Sequence, residues 1–179
     1  AERLADTAAV TVNGGTLALG TFSDTVGAVS IGTNGGSITS STGVLTGTGY
    51  TFSNTSPNTG TVSAILAGTG ALTQSGTGTT TLSGANTYSG ATTVSAGTLT
   101  LNGGAAISDT AGAVDVASGA TLTLGANETL SALTSAGTIN GAFTLQAASY
   151  GLTAGQVDAN LGTGTLTKSG AGTATLSGT

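Results

Sequence analysis

Aliphatic residues alternate with small polar ones in short bursts along the whole chain. Val10 and Val12 flank Thr11, and Leu17 and Leu19 flank Ala18. Leu99 and Leu101 alternate with Thr98 and Thr100, and Val114–Val116 and Leu122–Leu124 repeat the arrangement. A period of two sends successive side chains to opposite faces of a strand. The pattern therefore predicts short strands with aliphatic residues turned inward and Thr, Ser or Ala turned to water. The bursts end in Asn13-Gly-Gly15, Asn34-Gly-Gly36 and Asn102-Gly-Gly104, which suit corners that need positive φ. Helix is disfavoured, because glycine costs about 1 kcal/mol per helical position relative to alanine and here recurs every few residues.

The bursts are organised in repeats. Residues 68–84 and 162–178 are identical at most positions, and Leu4-Ala-Asp6 with Val10-Thr-Val12 corresponds to Ile107-Ser-Asp109 with Val114-Asp-Val116. Ser23-Asp24-Thr-Val26 likewise corresponds to Asn127-Glu128-Thr-Leu130. One continuous segment, 1–179, is expected, made of long units at approximately 1–103 and 104–179, the second incomplete. Inside them runs a shorter motif of Gly, a small residue and an aliphatic residue, as in Gly15-Thr-Leu17, Gly36-Ser-Ile38, Gly60-Thr-Val62, Gly97-Thr-Leu99 and Gly137-Thr-Ile139. Spacings mostly near 18–27 residues suit one solenoid coil of three strands and three turns. Antiparallel sandwiches would need hairpins at closer spacing. The reading is an all-β parallel β-helix (β-solenoid) of roughly eight coils, without significant helix, on the order of 40 Å long.

Composition narrows the functional classes. Charged residues make up 5% of the chain and aromatics 3%, and His, Cys, Met and Trp are absent; ordinary domains carry roughly 25% charged residues. The evenly spread aliphatic residues argue against a disordered linker. Arg3 and Lys168 are the only basic residues, too few and too far apart for nucleic acid. No apolar run reaches a membrane span. The opening Ala1-Glu-Arg-Leu-Ala-Asp6 lacks the apolar region of a signal peptide, so any export signal is expected outside these residues.

The stretch Leu72-Thr-Gln-Ser-Gly-Thr-Gly-Thr-Thr-Thr-Leu82-Ser-Gly-Ala-Asn86-Thr-Tyr88-Ser-Gly90-Ala-Thr-Thr-Val94-Ser-Ala-Gly97-Thr-Leu99 resembles the autotransporter-associated β-strand repeat, or passenger-associated transport repeat. A partial second copy runs from Leu166 to Thr179, and residues 5–17 resemble a common companion segment. The chain departs from the family at Ala91, where a second glycine is usual. The resemblance implies a right-handed β-helix in the passenger region of a large bacterial surface protein, often exported through a C-terminal outer-membrane barrel, with the repeat aiding folding and transport.

Little chemistry is expected. The acids Glu2, Asp6, Asp24, Asp109, Asp115, Glu128 and Asp158 are isolated, and Asp6 with Asp109 and Asp24 with Glu128 hold equivalent places, as turn-capping residues would. No His activates a serine, no Cys or His offers a zinc site, and no Lys completes a phosphate loop. No catalytic, cofactor-binding or metal-ligating residue and no cofactor is predicted, and an enzyme is not expected. Tyr88 should cover a gap in the core, Phe22, Phe52 and Phe143 should fill the interior, and Tyr50 and Tyr150 should lie ahead of equivalent strands. The Thr-x-Thr pairs Thr79/Thr81 and Thr98/Thr100 resemble ice-binding ranks, but they do not recur at fixed intervals, so a matched lattice is not expected.

The leading expectation is a structural stalk or spacer of an extracellular, autotransporter-like or filamentous protein at the bacterial cell surface. The alternatives are an adhesin that contacts glycans or host surfaces directly, and a self-assembling filament subunit that associates end to end or through its strand edges. No membrane insertion by this segment is expected.

Overall fold

A computed structural model describes residues 3–109 and 112–178. Among these, all regular elements are strands, and every pairing between them is parallel. The first face stacks Val10–Val12, Ala28–Ile31, Gly49–Phe52, Leu72–Gln74, Thr92–Val94, Val114–Val116, Leu133–Ser135, Ser149–Leu152 and Thr165–Lys168. The second stacks Thr16–Gly20, Gly36–Ser40, Thr59–Val62, Thr79–Leu82, Thr98–Leu101, Thr121–Leu124, Thr138–Asn140, Gly155–Val157 and Ala174–Leu176. The third face is interrupted: Asp24–Thr25, Val44–Thr46 and Ile65–Ala67 form one sheet, and Glu128–Leu130, Thr144–Ala147 and Asn160–Leu161 another. The chain visits the faces in turn, which makes a β-solenoid of about eight turns.

The register stacks like upon like. Leu82, Leu101 and Leu124 form one inward column, and Leu99, Leu122 and Ile139 another. These side chains are at most 2% exposed and form the central core with Ile31, Ile38, Phe52, Leu66 and Leu72. Coil length varies, from 16 residues between Tyr150 and Leu166 to 24 between Ile38 and Val62. The corners absorb that difference, so the strands stay aligned. Gly35 shows why corners take glycine: its φ is +71°, and a Cβ there would stand 2.2 Å from the Thr59 carbonyl oxygen.

Two aromatic expectations are corrected. Phe22 and Phe143 are 50% and 41% exposed, whereas Phe52 is fully buried. Both exposed rings sit at corners just before third-face strands, outside the inward strand positions that aliphatic residues fill. Phe22 instead carries the Arg3 guanidinium 3.7 Å from its ring centroid. Tyr50 and Tyr150 lie within first-face strands and are buried, not ahead of them. Each phenol turns back on the preceding corner. The Tyr50 hydroxyl donates to the Leu45 carbonyl and accepts from Gly47 N–H, both at 2.8 Å. The Tyr150 hydroxyl repeats this with Leu145 and Ala147, again at 2.8 Å. Tyr88 is fully buried beside Tyr50, their centroids 6.0 Å apart.

Truncating a stacked core residue should leave a cavity that the rigid coils cannot close. Leu99→Ala is expected to cost about 2–5 kcal/mol in urea unfolding, while Phe143→Ser should stay within about 0.5 kcal/mol of the parent. Equal losses would contradict this division of core and corner.

Candidate functional site

The acidic residues do not converge. Asp6 and Asp109 are exposed, and Asp115 points outward from the first face between Thr93 and Thr134. Asp158 accepts from Gln156 Nε2 at 2.6 Å and from the Ser177 hydroxyl, contacts that hold its carboxyl below the usual range. Glu2 lies outside the described residues. Among the described residues no three of His, Cys, Asp and Glu come together as metal ligands would.

Asp24 and Glu128 do cap backbone. Asp24 Oδ2 accepts from Leu4 N–H at 3.0 Å. Glu128, only 2% exposed, accepts from Ile107 N–H at 2.9 Å and from Ala106 N–H at 3.2 Å. Leu4 and Ile107 correspond in the sequence, so the paired acids perform one task at equivalent places.

Asn86 completes the arrangement. Its side-chain Oδ1 accepts from Leu66 N–H at 2.8 Å, and its Nδ2 donates to the Ala106 carbonyl at 2.6 Å. A side-chain amide thus stands where a peptide group of the missing strand would. From Leu66 to Asn86, Ala106 and Glu128, polar side chains carry the ladder across the break in the third face. Asn86 sits within the Leu-Ser-Gly-x-Asn-Thr-Tyr-Ser-Gly motif, which by itself does not mark it as a ladder residue. The available signal was the stretch from Gly84 to Gly90, which has no aliphatic pair at strand period.

A second group of buried polar side chains ties loops to coils. Asn54 Nδ2 donates to the Asn58 and Thr79 carbonyls at 3.1 and 2.9 Å, and its Oδ1 accepts from the Thr80 hydroxyl at 2.8 Å. Gln74 Nε2 donates to the Gly76 carbonyl at 2.9 Å, while its buried Oε1 has no protein partner. Lys168 holds the matching place in the last coil, and its ammonium donates to the Ser169 and Gly170 carbonyls at 2.5 and 3.1 Å. The Asp24 and Glu128 carboxylates accept from backbone N–H groups, and that of Asp158 accepts from the Gln156 amide and the Ser177 hydroxyl.

The outward surface of the second face is a different kind of feature. Thr59, Thr79, Thr98, Thr121 and Thr138 form one continuous column. Thr16, Ser37, Thr61, Thr81, Thr100 and Thr123 form a second. Uneven spacing in the sequence argued against a regular array, yet the register aligns Thr-x-Thr pairs on four successive coils. The rungs repeat at about 4.8 Å and the two columns stand roughly 6.7 Å apart. Neither column contains a charged residue. The first face lacks this regularity, because Asp115 and Gly151 break its outward column.

The family described as passenger-associated-transport-repeat matches residues 72–101 and 166–179. The longer match begins on the first face and runs through Asn86 and Tyr88 where the third face is interrupted. The repeat identified from the Leu-Ser-Gly-x-Asn-Thr-Tyr-Ser-Gly core is thus shown, and it implies a secreted or cell-surface protein. Repeat and solenoid together fit a passenger-domain segment of an autotransporter. No curated protein and no solved structure matches the chain.

Burial pushes the Glu128 carboxyl above its ordinary 4.5; the two N–H bonds oppose that rise, and nearby Asp109 adds to it. The native state therefore holds this proton more tightly than the unfolded chain does. Its stabilising contribution is complete below about pH 4.5 and is lost as pH rises through the native value. Urea unfolding measured from acidic to neutral pH should show that decline, and Glu128→Gln should flatten it; parallel profiles would remove Glu128 as its source. Separately, Asn86→Ala leaves a buried N–H and a buried carbonyl unpaired and should cost roughly 1–3 kcal/mol. Thr87→Ala, at the exposed neighbouring position, should cost far less.

Proposed function

We propose that this chain is a non-enzymatic spacer within the passenger of a bacterial surface protein, where its length and stiffness set the position of a functional element carried elsewhere. The observation that carries this reading is the use made of the buried polar side chains. Asn54, Asn86 and Glu128 each hold the backbone of neighbouring coils, and none is directed at an open recess. Nor do exposed aromatics form a sugar-stacking row. All three tyrosines are buried, and Phe22 and Phe143 lie near opposite ends of the solenoid.

The double threonine ladder favours a second reading, direct adhesion. A regular uncharged face suits a ligand that is itself periodic and uncharged. Binding of the chain to glycan arrays, crystalline polysaccharide and ice separates the two. The spacer reading expects silence on all three. Retention on any of them that is abolished by Thr98→Lys with Thr121→Lys would transfer the function to this face.

A further inference from the structure

The chain contains four Asn-Gly steps, at Asn13, Asn34, Asn102 and Asn140. In such a step the backbone nitrogen of the glycine is able to attack the asparagine carboxamide carbon, and glycine has no side chain to shield that nitrogen. All four asparagines are exposed, so access to water does not separate them. Their hydrogen bonds and packing do.

At the first two steps the glycine nitrogen is drawn away from the carboxamide. Gly14 N–H donates to the Gly35 carbonyl of the next coil at 2.7 Å, and Asn13 Oδ1 accepts from Asn34 N–H at 2.9 Å. Gly35 N–H donates to the Gly32 carbonyl at 2.9 Å. Asn102 turns its Oδ1 to Gly125 of the following coil, 2.6 Å from where a Cβ on that glycine would stand. Asn140 differs from all three. Its Oδ1 accepts from the N–H of Gly141 itself, at 2.8 Å. That bond closes the carboxamide onto the nitrogen of its own step, so the carbon and its nucleophile are already brought together. The fold also requires the glycine. Gly141 has φ +121°, and a Cβ there would stand 2.4 Å from the Leu124 carbonyl oxygen.

We propose that Asn140 is a self-modification site, where the Asn140-Gly141 step cyclises, releases ammonia and reopens as aspartate or isoaspartate. Base removes the Gly141 amide proton, and the nitrogen forms a bond to Asn140 Cγ. The Cγ–Nδ2 bond breaks, and ammonia leaves with a proton taken from water. Water then opens the succinimide. Cleavage of the new bond between Gly141 nitrogen and Cγ gives aspartate. Cleavage between that nitrogen and the Asn140 main-chain carbonyl carbon gives isoaspartate. Nothing is oxidised or reduced. Either product alters the second face. Asn140 pairs with Thr123 and continues the column of Thr61, Thr81, Thr100 and Thr123. The reaction puts a carboxylate into that uncharged column. Isoaspartate also lengthens the main chain by a methylene at the corner between Thr138–Asn140 and Thr144–Ala147.

The test holds the folded chain at mildly alkaline pH, with its β circular-dichroism signal retained, beside a sample unfolded in guanidinium chloride. Peptide mapping by tandem mass spectrometry follows each Asn-Gly step, and labelling by protein-isoaspartate methyltransferase reports isoaspartate. In the unfolded sample the four steps should react at similar rates, because only local sequence remains. In the folded chain Asn140 should lead the other three by roughly tenfold, the effect of about one hydrogen bond on the barrier. A folded chain in which Asn140 reacts no faster than the others overturns the proposal. So does an Asn140 lead that is equally large in the unfolded sample, since folded geometry is then not its cause. Asn140→Gln, whose longer side chain does not close the same ring, should remove most of the methyltransferase label with an unchanged circular-dichroism signal. Label retained in that variant also overturns the assignment.

Discussion

The parallel hydrogen-bond ladder between coils is the constraint on which the rest of the molecule depends. Each strand can satisfy its backbone only through the coil before it and the coil after it. Inward residues are then forced into columns, which is why Leu82, Leu101 and Leu124 coincide although they come from coils of different length. Aliphatic columns exclude water, and the ladder supplies the directionality that non-specific apolar packing lacks. With 5% charged residues, the chain has little electrostatic means of holding its coils together.

That constraint explains the side chains that looked most like chemistry. Among the described residues no strand on the third face bridges Ile65–Ala67 to Glu128–Leu130. Buried N–H and carbonyl groups at the break still need partners, and Asn86 and Glu128 supply them. A carboxylate buried in this way carries a raised pKa as a consequence of structural duty, because burial removes its solvent while two N–H donors keep it in place. The transport repeat covers the first part of this break. In a repeat associated with passengers, the local oddity of the coil is thus a substitution of side chain for backbone.

The same ladder orders the lateral surface. Outward threonines become continuous columns only because inward leucines are in register, as at Thr98-Leu-Thr-Leu101 over Thr121-Leu-Thr-Leu124. Core and lateral array are two views of one repeating backbone interaction.

From its residues alone the chain determined strand, coil and class. Alternation at Val10–Val12 and Leu99–Leu101, glycine at the corners and the Leu-Ser-Gly-x-Asn-Thr-Tyr-Ser-Gly core sufficed, because period and backbone sterics are local properties. The shared capping duty of Asp24 and Glu128 was also legible, through their equivalent places. Tertiary structure alone decided which coil lies on which. That choice aligned unevenly spaced threonines into two columns, placed Tyr50 and Tyr150 inside strands, left Phe22 and Phe143 at exposed corners, and made Asn86 a bridge. Each of these depends on register between residues about one coil apart. Corner lengths set that register, and no local pattern encodes their sum.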